Sequence, residues 1–142
     1  MLSKKTYSKE YIDKCRAKVE KDISTFKSLA DIITTGNQEL NNALLTFEHR
    51  YFNNMVLVLE TLFTHRMRGK EGKDGNPLNE VRMLSNSIME NDCKMSVDKT
   101  IKYKPEQSVL NYQIDDEIKL NQSDFTKLSE AFFDDLKAKY ME

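Results

Sequence analysis

Residues 1–68 contain one glycine, Gly36, and no proline, while the other three glycines, Gly69, Gly72 and Gly75, crowd together just before Pro77. Residues that interrupt regular backbone are therefore confined to a few places, and the rest of the chain is free to form long unbroken elements. The apolar positions Ile12, Cys15, Val19, Ile23, Phe26, Leu29, Ala30 and Ile33 recur at three and four, the spacing of one helix face. Ser8 supplies an N-cap and Thr34-Thr35-Gly36 a stop, which predicts a first helix over residues 8–34. A second periodic run, Leu40, Leu44, Phe47, Tyr51, Met55, Val58 and Leu62, continues to Arg68, with Gly69 as the residue past its end. Two rods of about 45 Å joined by a short connection predict an antiparallel hairpin.

Asn76-Pro77 reads as an N-cap followed by the first helical position. It opens a third helix to about Asn91, with Leu78, Val81, Leu84, Ser85 and Ile88 along one side. Helical periodicity is lost over residues 92–122. There, Val109, Leu110, Tyr112, Ile114, Ile118 and Leu120 surround Asp115-Asp116, which predicts a small β-hairpin near residues 109–120 with a type I turn at its tip. Ser123 then caps a last helix that carries Phe125, Leu128, Phe132, Phe133, Leu136 and Tyr140 on one broad face. The expected fold is mainly α: one helical domain over residues 1–142, a bundle built on the long antiparallel hairpin.

A chain of 142 residues can bury a sizeable core without staples. Its 22 basic and 23 acidic residues leave a net charge of −1, which excludes a global attraction to nucleic acid or anionic lipid. Residues 1–11 lack an apolar signal region, and the longest apolar run, residues 55–59, is far short of the ~20 residues of a membrane span. Cys15 and Cys93 are far apart and form no CxxC pair. Free thiols in a reducing cytoplasm are the expectation.

On a helical wheel the second helix is apolar over about half its circumference, so it needs more than one neighbour, which makes it the central element and a dimer face. Glu48 and Arg66 fall inside that sector but lie roughly 27 Å apart along the axis, too far to pair. Arg66 therefore either meets a carboxylate or an anionic ligand, or reaches water where the helix end splays. On the opposite side, His49 and Glu60 lie about 16 Å apart along the axis, too far to share an ion. No metal site is expected.

The stretch RMRGKEGKDGNPLNEVR, residues 66–82, is the place nominated for binding. Glycines that let backbone N–H groups converge, followed by a helix start, are the ingredients of an anion site. Arg66, Arg68, Lys73, Asp74, Asn76, Glu80 and Arg82 are the candidate contacts for a small anionic ligand. The match to GxxxxGK[ST] fails, and an EF-hand register puts Lys70 and Val81 where carboxylates must stand. An ordered interhelical connector is the competing structural reading. A further alternative is an enzyme or nucleotide-binding protein in which Arg66, Asp74, Glu80 and Arg82 converge on a pocket. No GxSxG elbow is present, neither cysteine neighbours a histidine in sequence, and no cofactor is implied. Nucleic acid is disfavoured because the basic residues have no interleaved aromatics.

The runs FNNMVLVLETLFTHRMRGKEGKDGNPLNEVRML, YKPEQSVLNYQIDDEIKL and LSEAFFDDLKAKY resemble a group of small, uncharacterised bacterial proteins, over most of residues 47–140. The resemblance implies a bacterial cytoplasmic setting and carries no catalytic role. The functional expectation is a helical binding or interaction protein, homodimeric through its first two helices.

Overall fold

The computed structural model describes residues 3–33 and 36–142. Helix α1 spans Lys9–Ile32, α2 Gln38–Leu62, α3 Arg68–Glu71, α4 Pro77–Glu90 and α5 Gln122–Tyr140, with a 3-10 turn at Pro105–Gln107. Ser8 caps α1 by accepting from Tyr11 N at 3.1 Å, and Asn37 caps α2 by accepting from Leu40 N at 3.0 Å. Of the stop expected at Thr34-Thr35-Gly36, Thr34 and Thr35 lie outside the described residues. The cap of α5 lies two residues before the expected one: Asn121, not Ser123, holds its first turn, in a reciprocal box with Asp124.

Helix α2 packs against α1, α4 and α5, and α5 packs in turn against α1, α3 and α4. The core between them is aromatic and aliphatic: Ile12 and Val19 from α1, Phe52, Val56 and Leu59 from α2, Leu78, Val81 and Leu84 from α4, and Phe125, Leu128, Phe132, Phe133 and Leu136 from α5 are fully enclosed. Burying each such side chain is worth roughly 1.5–3 kcal/mol, which holds the four long helices together. The polar residues of α2, Glu48 within its apolar sector among them, are put to use as well. Asn53 donates to Ile118 O at 2.8 Å and accepts from Leu120 N at 3.1 Å, the Glu48 carboxylate accepts from Gln122 N at 2.9 Å, and His49 Nδ1 lies 3.1 Å from Leu120 O.

Two expectations are corrected. Helix α2 ends at Leu62 rather than at Arg68, and Gly69 lies inside α3 rather than past the end of α2. The physical reason lies in the residues that follow. The main chain at residues 65–67 turns aside to pair with the N-terminal segment, with Lys4 N donating to His65 O at 2.7 Å and Met67 N to Lys4 O at 2.8 Å. The β-hairpin near residues 109–120 does not form. A turn is present at residues 113–116, where Asp116 N donates to Gln113 O at 3.1 Å, but the flanking amides are committed elsewhere. Val109 and Leu110 donate to the Glu80 carboxylate, Lys119 N to the Tyr112 hydroxyl, and Ile118 N to Cys93 O. Without those donors no ladder can close.

Candidate functional site

After α2 the chain makes a tight descent through α3 into α4, and this carries the guanidinium of Arg66 into the interior. Its side chain is fully enclosed, and four of its five N–H groups are used. Nε donates to Glu71 Oε1 at 2.9 Å, Nη1 to Phe63 O at 3.0 Å, and Nη2 to Glu60 Oε1 at 2.9 Å and to Leu78 O at 3.3 Å. The ring of Phe132 lies beneath it, 5.7 Å from the guanidinium carbon. Arg82, from α4, completes the group: Nη2 donates to Glu71 Oε1 at 2.6 Å, Nε to Glu71 Oε2 at 3.2 Å, and Nη1 stands 3.5 Å from Glu60 Oε2. Asn79 Nδ2 reaches Glu71 Oε2 at 2.7 Å. Burial alone would push the Glu71 carboxyl up, but Arg82, Arg66 and Asn79 together hold it below the usual carboxylate range.

Two guanidinium groups and two carboxylates thus form a neutral, internally satisfied cluster that ties α2, α3 and α4 together. Buried charges are costly unless paired and hydrogen-bonded, and here each carries a partner of opposite sign. The cluster leaves no unmatched positive charge for an anion. It pins the glycine-rich corner to the bundle.

The other nominated residues are dispersed. Arg68 and Lys73 are exposed, the latter using its carbonyl to accept from Lys102 N at 2.8 Å. Asp74 accepts from Asn76 Nδ2 at 2.7 Å; Asn76 also donates to Glu71 O at 2.7 Å and caps α4 through Asn79 N at 2.9 Å. Glu80 faces away from the cluster altogether. The structure brings Arg66 and Arg82 together, joins Asp74 to Asn76, and sets Glu80, Arg68 and Lys73 apart, so the four residues of the enzyme alternative do not converge. The residues that were not nominated are the partners, Glu60, Glu71 and Asn79. The wheel places Glu60 on the polar side, and Glu71 between Lys70 and Gly72 looks solvated. Only the need of Arg66 for a carboxylate signals them.

Glu80 is almost wholly buried and, among the described residues, makes no salt bridge; its two oxygens accept from Val109 N at 2.8 Å and Leu110 N at 3.0 Å, which fastens the irregular segment to α4. Burial pushes its carboxyl up, and the two amides offset this only in part. Glu71 and Glu80 therefore act in opposite directions on the acid side. With a raised folded pKa, the contribution of Glu80 to stability grows as pH falls through that pKa; with a lowered one, the contribution of Glu71 is present above the ordinary carboxylate range and is lost as pH falls. In urea unfolding between pH 4 and 8, the stability difference between wild type and Glu80→Gln should grow in favour of wild type as pH falls. A difference growing toward alkaline pH would refute the assignment.

Two surface features remain. The first is the free end of the α1–α2 hairpin, where Leu29, Ile32, Leu40, Leu45 and Phe47 are exposed. The second is a cleft of about 490 Å³ at the opposite end of the hairpin, between residues 4–8, the residues that close α2, and Glu142. Among the described residues no group of three His, Cys, Asp or Glu side chains is placed to hold a metal ion, and no helix is long and apolar enough to cross a membrane. No protein-family model, curated protein or solved structure matches the chain.

Proposed function

We propose that this chain is a helical interaction protein that works as a homodimer, joined through the free end of its α1–α2 hairpin. The observation that carries the reading is the exposed apolar surface there. Ile32 is 79% exposed, Leu45 51% and Phe47 48%, whereas the apolar positions nearer the other end of the hairpin, Ile12, Val19, Val56 and Leu59, are fully enclosed. Over residues 28–47 the chain has no lysine or arginine and only two acidic residues, Asp31 and Glu39, although 32% of the whole chain is charged. The Asp31 carboxylate is itself matched by Lys27 at 3.6 Å. Depletion of charge around apolar side chains is the composition of an interface core rather than of a solvated face.

A second copy is the occupant that fits. Two hairpin ends related by a twofold axis meet with the same residues on both sides and form a four-helix contact, so no foreign partner is needed to cover them. The proposed setting is a bacterial cytoplasm; the family resemblance supports it, as do two cysteines, Cys15 and Cys93, that stay unpaired. The small anionic ligand expected at residues 66–82 is not carried into this reading, because Arg66 and Arg82 already have carboxylate partners.

Light scattering coupled to gel filtration at tens of micromolar tests the proposal. The wild-type chain should run at twice its 16.6 kDa mass, and Ile32→Glu with Phe47→Glu should run as a monomer of unchanged helical circular dichroism. A monomeric wild type at that concentration would overturn it.

A further inference from the structure

The cleft at the other end of the hairpin is a second feature, independent of how the free end is covered. Its walls are fixed by main chain. Lys4 N donates to His65 O at 2.7 Å, Tyr7 N to Tyr140 O at 2.7 Å and Glu142 N to Tyr7 O at 3.0 Å, so three separate stretches of chain are pinned around one concavity. Tyr7 and Tyr11 line it, their rings 5.7 Å apart and 19° from parallel, and Leu62 adds an aliphatic surface. The Tyr11 hydroxyl is anchored on Leu62 O at 2.7 Å, which fixes the ring as a wall. Tyr7 is more than nine-tenths buried, and its hydroxyl is the one buried side-chain polar atom among the described residues with no hydrogen-bond partner. That oxygen is enclosed and does not open into the cleft, so Tyr7 lines it with its ring and not with its hydroxyl.

The rim is polar, and its charges are partly uncommitted. Lys4 and His65 line the cleft, and among the described residues neither side chain makes a salt bridge or hydrogen bond. Glu142 also lines it, and its carboxylate accepts from Thr6 Oγ1 at 3.1 Å. Ser8, at the cleft, caps the N-terminus of the 24-residue α1, whose partial positive charge adds to that of Lys4. The volume lies within the ~300–1,000 Å³ of small-molecule sites, and the cleft joins an aromatic and aliphatic wall to a polar rim.

From this juxtaposition of a stacked tyrosine wall, the Leu62 surface and an unpaired lysine around one concavity, we infer that the cleft binds a small planar aromatic molecule bearing one negative charge. The ring lies along Tyr11 and Leu62, and the anionic group sits at the Lys4 and His65 side. Burial pushes both phenols above their ordinary value, Tyr11 to about 12, so both stay neutral and neither repels an anion.

The test uses the full chain with 8-anilinonaphthalene-1-sulfonate as probe, and N-phenyl-1-naphthylamine, the same ring system without the sulfonate, as its uncharged counterpart. We expect one sulfonate probe per chain, with amide NMR shifts concentrated at residues 4–11 and 62–65. Lys4→Glu, at an exposed side chain whose loss leaves the fold intact, should weaken binding about tenfold or more, and Ile32→Glu with Phe47→Glu should leave it unchanged. Shifts centred on the hairpin end, equal binding of the uncharged probe, indifference to Lys4→Glu, or no binding of the sulfonate probe at millimolar concentration would each overturn the assignment.

Discussion

Arg66→Ala is expected to lower the unfolding free energy by about 3–5 kcal/mol, the range for breaking a buried ion pair by removing one partner. In a chain of this size that corresponds to a fall in melting temperature of roughly 10 °C. The loss arises chiefly in what remains: Glu71, wholly enclosed, keeps Arg82 and Asn79 but loses its bond from Arg66 Nε, and Glu60 is left with only the longer contact to Arg82. Phe63 O and Leu78 O lose their donors as well. Because the damage is a stranded partner rather than a lost attraction alone, Arg66→Ala with Glu71→Ala should cost less than the sum of the two single changes by at least ~1 kcal/mol. Urea unfolding of the four proteins measures this. Strict additivity, or a single mutant within ~0.5 kcal/mol of wild type, would contradict the account of the cluster.

The three clustered glycines give the second large effect, and they are not equivalent. At Gly75 the backbone has φ +85°, and an added Cβ would stand 2.6 Å from Lys102 O, a main-chain atom with nowhere to go. A left-handed conformation for a side-chain-bearing residue costs about 1–2 kcal/mol and overpacking about 1–3 more, so Gly75→Ala should destabilise by roughly 2–4 kcal/mol. Gly69 lies in α3 with nothing within 4 Å of a Cβ, so Gly69→Ala should be neutral or stabilise by up to ~1 kcal/mol. Thermal unfolding of the two alanine variants side by side checks the contrast. If Gly69→Ala were the more harmful, the backbone description of this corner would be wrong.

Much of the helical framework was legible because its signals are local. The three-and-four spacing of α1, the Asn76-Pro77 start of α4 and the aromatic face of α5 are each written within a few turns of chain. The end of α2 was not, since nothing in residues 63–68 breaks a helix. What ends it is pairing with Lys4, some sixty residues earlier in the chain. The expected hairpin failed for a related reason. Its alternating apolar residues are real, but Glu80 on α4 and Asn53 on α2 take the hydrogen bonds a ladder would need. At the candidate site, Arg66 stands out in the sequence as a charge within an apolar sector that needs a carboxylate, an anionic ligand or water, whereas the identity of Glu71 as its partner depends on the turn itself. The cleft left no trace in periodicity, because it is walled by stretches at both extremes of the sequence.

Residues 4–7 are held on one side by residues 65–67 and on the other by residues 140–142. The two halves of that embrace become possible at very different moments of synthesis. The first can dock as soon as the helical hairpin has left the ribosome, but the second must wait for the closing turn of α5. Until then Tyr7 lacks the backbone partners that seat it, and a chain interrupted before Tyr140 never acquires them. A single short segment thus reports whether α5 has closed onto the helical hairpin.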